Sequence, residues 1–151
     1  MDQLDWDIVT ELQQNARIST AELSRKIGLS TSATAERIAK LEREGIIQGY
    51  TAIVDEAKLG QDISAYILVP VGGIPIADMA KAIASIPQVR ECHKVTGNAC
   101  FMVKVRTGSM PELERVIDSI NRAAPNTCSY LVLSTVKEAG QVTKIDQGEV
   151  T

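Results

Sequence analysis

Aromatic side chains are nearly missing from this chain: one Phe, one Trp and three Tyr make up 3% of 151 residues. Any core must therefore be aliphatic. Histidine is reduced to His93, and the three cysteines, Cys92, Cys100 and Cys128, are an odd number. They do not make a disulfide framework, and their separations lack the close pairs of a zinc site, so small thiols on strands are expected and no metal. One histidine beside one cysteine, with no glycine-rich phosphate loop and no spaced nucleophile and base, does not make a catalytic site, and no enzyme is expected. No apolar run is long enough to cross a bilayer, and the opening MDQLDWD is too acidic for a signal peptide. A cytoplasmic protein without a membrane partner is the expectation. A large charge excess is also lacking. The net charge of −3 leaves room for a nucleic acid only through a local basic patch.

What is present is a folded composition, 44% hydrophobic and 23% charged, long enough for one ordinary domain or two small ones. The most informative stretch is 20–44. Thr20 is a candidate N-cap, Leu23 and Ile27 share a face, and Gly28 stands where a left-handed residue ends a helix. Ser30 then caps a second helix. With Ile38 at the centre of its buried stripe, a step of about 100° per residue turns Thr34, Ala35 and Leu41 inward. The same step turns Ser32, Ala33, Glu36, Arg37, Lys40 and Arg43 outward. A face that is small at its start and charged further on suits a helix in the DNA major groove. On spacing alone, a helical hairpin with a solvated charged face fits as well. Arg25, Lys26, Arg37, Lys40 and Arg43 would form the basic patch, with Asp2, Asp5, Asp7 and Glu11 on a helix turned away from it.

Leu4, Ile8, Val9 and Leu12 mark that first helix, with Asp5 as its expected cap. After Gly45, the β-branched segment IIQGYTAIVD reads as a short β-wing and an exit strand, and EAKLGQD as a polar loop. A winged helix-turn-helix domain over 1–50 and a linker over 51–62 follow. From 63 the rhythm changes: a strand at 65–71, a helix opened by Pro75, and strands at 88–95 and 100–105 joined by a Thr96-Gly97-Asn98 turn. A helix boxed by Ser109 and Glu112 and a last strand at 127–136 complete it. The order βαββαβ predicts a ferredoxin-like sandwich over 63–151, making the chain α+β, with a loose polar tail from Glu138. Two helices cover one face of a four-stranded sheet, yet the strands are apolar on both. Tyr66, Leu68 and Met102 lie on a face without a partner in the chain, which predicts a dimer joined through the second domain.

With these pieces in place the chain resembles the Lrp/AsnC (feast/famine) transcriptional regulators along nearly its whole length. The resemblance rests on Leu4, Asp5, Asp7, Ile8 and Leu12, and on Gly28-Leu29-Ser30 and Arg37-Ile38. It continues through Leu41-Glu42, Gly45 to Tyr50, Pro87, Val89 and Val95-Thr96-Gly97, and the alternation Thr127, Ser129, Leu131, Leu133. It implies a sequence-specific DNA-binding regulator that acts on double-stranded operators as a dimer or a tetramer or octamer built from it. No cofactor is implied. The second (RAM-type) domain is implied to sense an amino acid or a related small metabolite near Gly97, Asn98, Ala99, Cys100, Thr127 and Ser129. The family pattern has Asp three residues after the glycine, where this chain has Cys100, and a thiol is a poor partner for an ammonium.

The roles that follow are these. Ser32, Ala33, Glu36 and Arg37 face bases, Arg37 suited to guanine and Glu36 to cytosine, and Thr31 belongs to the same DNA-binding set. Arg25, Lys26, Lys40, Arg43 and the N–H groups behind Ser30 hold phosphates. Arg37 could instead brace the first helix, and Glu36 could pair with Lys40. Three other readings compete: a metabolite-sensing oligomer with a vestigial helix-turn-helix, a thiol- or metal-responsive sensor using the three cysteines, and an effector-independent architectural DNA-binding protein.

Overall fold

The computed structural model describes residues 1–138 and 140–144. The chain divides into two compact units, Met1–Ile53 with Lys137–Thr151, and Val54–Val136.

The first unit holds α1 (Gln3–Gln14), α2 (Thr20–Ile27) and α3 (Thr31–Arg43). Each start is decided by a side-chain oxygen taking an orphan N–H. Asp2, not Asp5, is the cap of α1, and the two aspartates form a reciprocal box in which each side chain accepts the other's N–H, at 2.9 and 3.0 Å. Ser19, one residue ahead of the expected Thr20, caps α2, and Ser30 caps α3 as its position predicts. Gly28, at φ 72°, ends α2 in the left-handed conformation. Ile8, Leu23 and Leu41 are buried at the centre, with Val9, Leu12, Ile18, Ile27, Ile38 and Ile47 packed around them. Each fully buried Leu or Ile contributes about 1.5–3 kcal/mol, so this small aliphatic cluster is what sets the three axes.

Segment 46–54 contains no strand. Its β-branched residues have no neighbouring strand in the single chain, and Ile53 is 92% exposed. Tyr50 is held instead by its hydroxyl, which donates to Glu42 at 2.9 Å.

The second unit is a four-stranded antiparallel sheet in the order β2-β3-β1-β4, from β1 (Ile63–Val69), β2 (Val89–Lys94), β3 (Phe101–Thr107) and β4 (Cys128–Leu131). Helices α4 (Ile76–Ala84) and α5 (Met110–Ala123) cover one face. Ala65, Ile67, Val69, Phe101, Val103 and Val105 point into that face and meet Met79, Ile83, Leu113, Val116 and Ile120. The βαββαβ order is the one expected, with shifted bounds: β1 starts two residues earlier, β3 runs on to Thr107, and β4 stops at Leu131 rather than 136. Pro75 is the cap residue of α4, just outside it. In the box at α5, Ser109 takes the Glu112 N–H, while the Glu112 carboxylate reaches the N–H of Gly108 rather than that of Ser109. Gly73 (φ 80°) lies against the end of α5, where a Cβ would stand 2.3 Å from the Ala123 carbonyl oxygen. Only glycine fits there. The turn at 56–60 is pinned to the sheet unit through Glu56. Its carboxylate takes a hydrogen bond from Arg90 at 2.8 Å and faces Arg106 Nε at 2.9 Å, the latter out of line for a hydrogen bond.

The segment beginning at Lys137 groups with the first unit, not with the sheet that precedes it. Of the tail expected to be loose from Glu138, described residues make defined contacts, because Val142 offers its peptide N–H and carbonyl to Gln13; residues 139 and 145–151 lie outside the described residues.

Candidate nucleic-acid interface and ligand end of the sheet

Helix α3 sits on the core through Thr34, Ile38 and Leu41. The buried Thr34 hydroxyl is satisfied by donating to the Ser30 carbonyl at 2.9 Å. Buried Ser24 donates to the Ala21 carbonyl and lies 3.4 Å from the Thr31 hydroxyl, so it links the two helices across the turn. The stripe left outside is Thr31, Ser32, Ala35, Glu36, Lys40 and Arg43, all exposed, with Ala33 partly covered. Ala35, expected inward, faces out, and Arg37, expected outward, is drawn to the side. The buried centre is shifted from Ile38 toward Thr34, and the wheel turns with it.

Arg37 is the main departure. Its guanidinium lies 2.7 Å from Asp5 Oδ1 and 2.8 Å from Asp2 Oδ2, and its side chain is only 29% exposed. Asp5 is 2% exposed. Burial pushes the Asp5 carboxyl up, but the Asp2 N–H and the Arg37 guanidinium outweigh it and hold it below the usual carboxylate range. The N–H of Asp5, and then Arg37, likewise lower Asp2. The acids of α1 are therefore not all turned away from the basic patch. Two of them meet Arg37, and Glu11 holds the Lys26 ammonium at 2.6 Å. A helical wheel misses these pairings because the partners lie on different helices, 32 and 35 residues apart for Arg37 and 15 for Lys26. The visible signal was the Asp-x-x-Asp spacing at the start of α1.

The cations of the patch differ in their freedom. Arg25 spends its Nε on the Ala21 carbonyl of its own helix. Lys40 lies 3.9 Å from Glu44, four residues on, rather than beside Glu36. Among the described residues Arg43 has no ion pair. A shallow groove of about 560 Å³ beside this stripe is lined by Ala33, Glu36, Arg37, Ala39, Lys40 and Arg43, with Asp2. Exposed cations beside small side chains, on a helix whose capped start presents N–H groups, can meet phosphates while the small residues approach base edges.

The residues expected around a ligand gather at one end of the sheet. Val69 closes β1 opposite Phe101, Lys94 ends β2 beside Phe101, and Cys128 opens β4 opposite Leu68. Gly97, Asn98 and Ala99 form the β2–β3 turn at that end, with Gly97 at φ 107°. Thr127 precedes β4, and its hydroxyl donates to Asn121 Oδ1 at 2.9 Å. β1 lies between this turn and β4, and at about 4.8 Å per strand spacing the two sets stand roughly 10 Å apart across the sheet. Cys100 is not at the surface of this end. It is 6% exposed and packs in the core, with its N–H on the Val69 carbonyl at 2.7 Å. A buried thiol cannot stand in for a carboxylate toward a ligand, so Cys100 is a core residue. Ser129 is exposed, on the edge strand opposite Ile67.

The uncovered sheet face is continuous. Tyr66 stands opposite Tyr130 and Lys104, and Leu68 opposite Met102 and Cys128. Met102 is 37% and Tyr130 55% exposed. The expected interface set of Tyr66, Leu68 and Met102 thus lies side by side, and Cys128 and Tyr130 join it. No group of three His, Cys, Asp or Glu side chains that could hold a metal occurs among the described residues. None of the described helices is long and apolar enough to cross a membrane.

Residues 1–48 match the family described as winged helix-turn-helix DNA-binding, and residues 64–142 match the Lrp/AsnC ligand binding domain. The HTH-type transcriptional regulator LrpC of Bacillus subtilis is 36% identical over 138 residues, covering 90% of this chain and 94% of that one. Its solved structure superposes with a TM-score of 0.86 at 32% identity over 92% of this chain and 99% of that one. The leucine-responsive regulatory protein of Escherichia coli is 30% identical over 148 residues, 94% of this chain and 90% of its own. A transcriptional regulator of Neisseria meningitidis solved in complex with L-Met superposes with a TM-score of 0.87 at 26% identity, covering 94% of this chain and 96% of that one.

Proposed function

The chain belongs to the Lrp/AsnC family of transcriptional regulators, which are not enzymes, and from that membership we propose which of its residues read DNA, which seam joins its copies and what it senses. Helix α3 enters the major groove. Ser32, Ala35 and Glu36 approach base edges, and Lys40, Arg43, Arg25 and the N–H groups behind Ser30 take phosphates. Arg37 positions α3 against the cap of α1 instead of reading guanine, and Lys26 contributes less than the others because Glu11 holds it. The observation that carries this reading is the exposed stripe Ser32, Ala35, Glu36, Lys40 and Arg43 on a capped helix.

The protein works as a dimer joined through Tyr66, Leu68, Met102 and Tyr130, from which tetramers or octamers are built. Support comes from the adjoining Tyr66, Leu68, Met102 and Tyr130 on the sheet face opposite the two helices, beside Lys104. The effector is an amino acid or a closely related small metabolite, bound at the sheet end that carries Gly97, Asn98, Ala99, Thr127 and Ser129. The ligand-binding domain match and the relative solved with L-Met support that class. With Cys100 buried, its ammonium must be met by backbone carbonyls, Asn98 or Ser129, or by a residue of another subunit.

Selection of bound duplexes from a random pool, with and without each amino acid, tests all three parts. Enrichment of a two-half-site duplex whose occupancy shifts with one amino acid is the expected result. Absence of enrichment overturns the DNA reading. Enrichment indifferent to every amino acid, with no heat in titration calorimetry, favours the effector-independent architectural role.

A further inference from the structure

The C-terminal segment makes one contact too specific for a loose tail. The Gln13 carboxamide donates from Nε2 to the Val142 carbonyl at 2.9 Å and accepts the Val142 N–H at Oε1 at 2.7 Å. A carboxamide is a side-chain copy of a peptide group, and a two-point match of this kind selects one residue of the tail and one direction. Two residues later, the Lys144 ammonium donates to Gln3 Oε1 at 3.3 Å. Gln3 and Gln13 are about 15 Å apart along α1, so the tail runs back along the helix from its last turn toward its first. Val142 also lies on the rim of an apolar groove of about 590 Å³ shared with Trp6, Val9, Ile47, Tyr50 and Gln13.

The first unit therefore has two covalent connections to the sheet unit, one leaving at Ile53–Val54 and one returning at Val136–Lys137. We propose that the C-terminal segment is a second tether: the Gln13–Val142 clip fastens the chain beyond Val136 to helix α1 and narrows the range of spacings at which a dimer presents its two recognition helices. This rests on the dimeric DNA-binding reading above. For a bivalent binder, the second contact gains from the effective concentration that its connections impose, and a chain held at two points samples less volume than one held at one. The clip consists of neutral hydrogen bonds at an exposed site, each of which is individually weak. It can open and close without unfolding α1.

The test uses the full chain with Gln13→Ala and, separately, Val142→Pro, which removes the N–H and leaves Gln13 in place. Peptide-level hydrogen exchange over 137–144 and affinity for two duplexes are measured: one enriched by the wild-type chain, and the same duplex with one half scrambled. The expected result is protection in the wild type that both variants lose, about a tenfold loss of the preference for the two-half duplex, and one-half affinity within about twofold of wild type. Unprotected exchange in the wild type overturns the clip. An undiminished two-half preference in both variants, or an equal fall on the one-half duplex, overturns the tether. A wild-type chain that binds no duplex sinks the function reading alone, and the exchange result then decides the clip by itself.

Discussion

Arg37 on α3 and Asp5 on α1 are joined at 2.7 Å, with Asp5 almost wholly withdrawn from water. The same aspartate closes the cap of α1, so one carboxylate starts the first helix and orients the third. If Arg37 acts through Asp5, Arg37→Met and Asp5→Asn lower the melting midpoint by similar amounts, and the double variant loses little more than either alone. Arg37→Lys, which keeps the charge, restores part of the loss while the preferred operator base stays unchanged. A changed base at one operator position in Arg37→Lys alone shows instead that the guanidinium reads DNA.

The exposed cations of α3 have a different signature. Lys40→Ala and Arg43→Ala each weaken binding to all duplexes alike and reduce the salt slope by about 0.9 per lost contact. Lys26→Ala changes the slope less, because its ammonium is already held by Glu11. Glu36→Gln leaves the slope unchanged or steeper and shifts preference at one base pair by about 1–3 kcal/mol. Filter binding over a salt titration, with matched and substituted duplexes, separates these outcomes.

Acid should act on the first unit through Asp2 and Asp5. Both carboxyls titrate below their ordinary range in the folded chain. Their stabilising effect is therefore complete above the unfolded value of about 4 and is lost as pH falls through the folded values. Melting midpoints are expected to be level from about pH 7 to 5 on this account and to drop below about 4. Asp5→Asn starts lower and drops less. An equal drop in wild type and variant assigns the acid sensitivity elsewhere.

On the uncovered sheet face, Leu68→Glu together with Met102→Glu places two carboxylates opposite each other on neighbouring strands. A dimer using this face brings four such charges together, and light scattering should then give a monomer at micromolar concentration with the circular dichroism spectrum unchanged. A dimer that survives both substitutions uses another surface.

How far the sequence was readable depends on the range of the interaction that decides each feature. Periodicity found the three helices and the βαββαβ order, because Leu23, Ile38 and Leu41, or Ile67 and Val103, reveal their burial through neighbours a few residues away. The pairing of Tyr66, Leu68 and Met102 on one face followed from alternation and strand order together. Caps slipped by one to three residues because Asp2 and Asp5, or Ser19 and Thr20, are chemically equivalent candidates that only geometry distinguishes. Ala35 was misplaced, the bond of Arg37 to the first helix stood only as the alternative to a base contact, and the depth of Cys100 was not foreseen, all for a different reason. Their orientation is decided by partners distant in sequence: Asp5 for Arg37, the core of Ile8 and Leu23 on which α3 settles for Ala35, and Val69 with the sheet interior for Cys100. Segment 46–54 has the β-branched composition of a strand, but composition does not supply a neighbour to pair with.

The three thiols lie at three depths: Cys128 exposed, Cys92 half-buried and pushed up in pKa by that burial, Cys100 enclosed. The sheet unit thus carries its own depth gauge. An alkylating reagent would mark Cys128 at once in a free subunit but only on dissociation where a dimer covers that face, Cys92 slowly, and Cys100 only when the β2–β3 hairpin parts from its helices. The order of mass additions would time each stage of loosening without any foreign label.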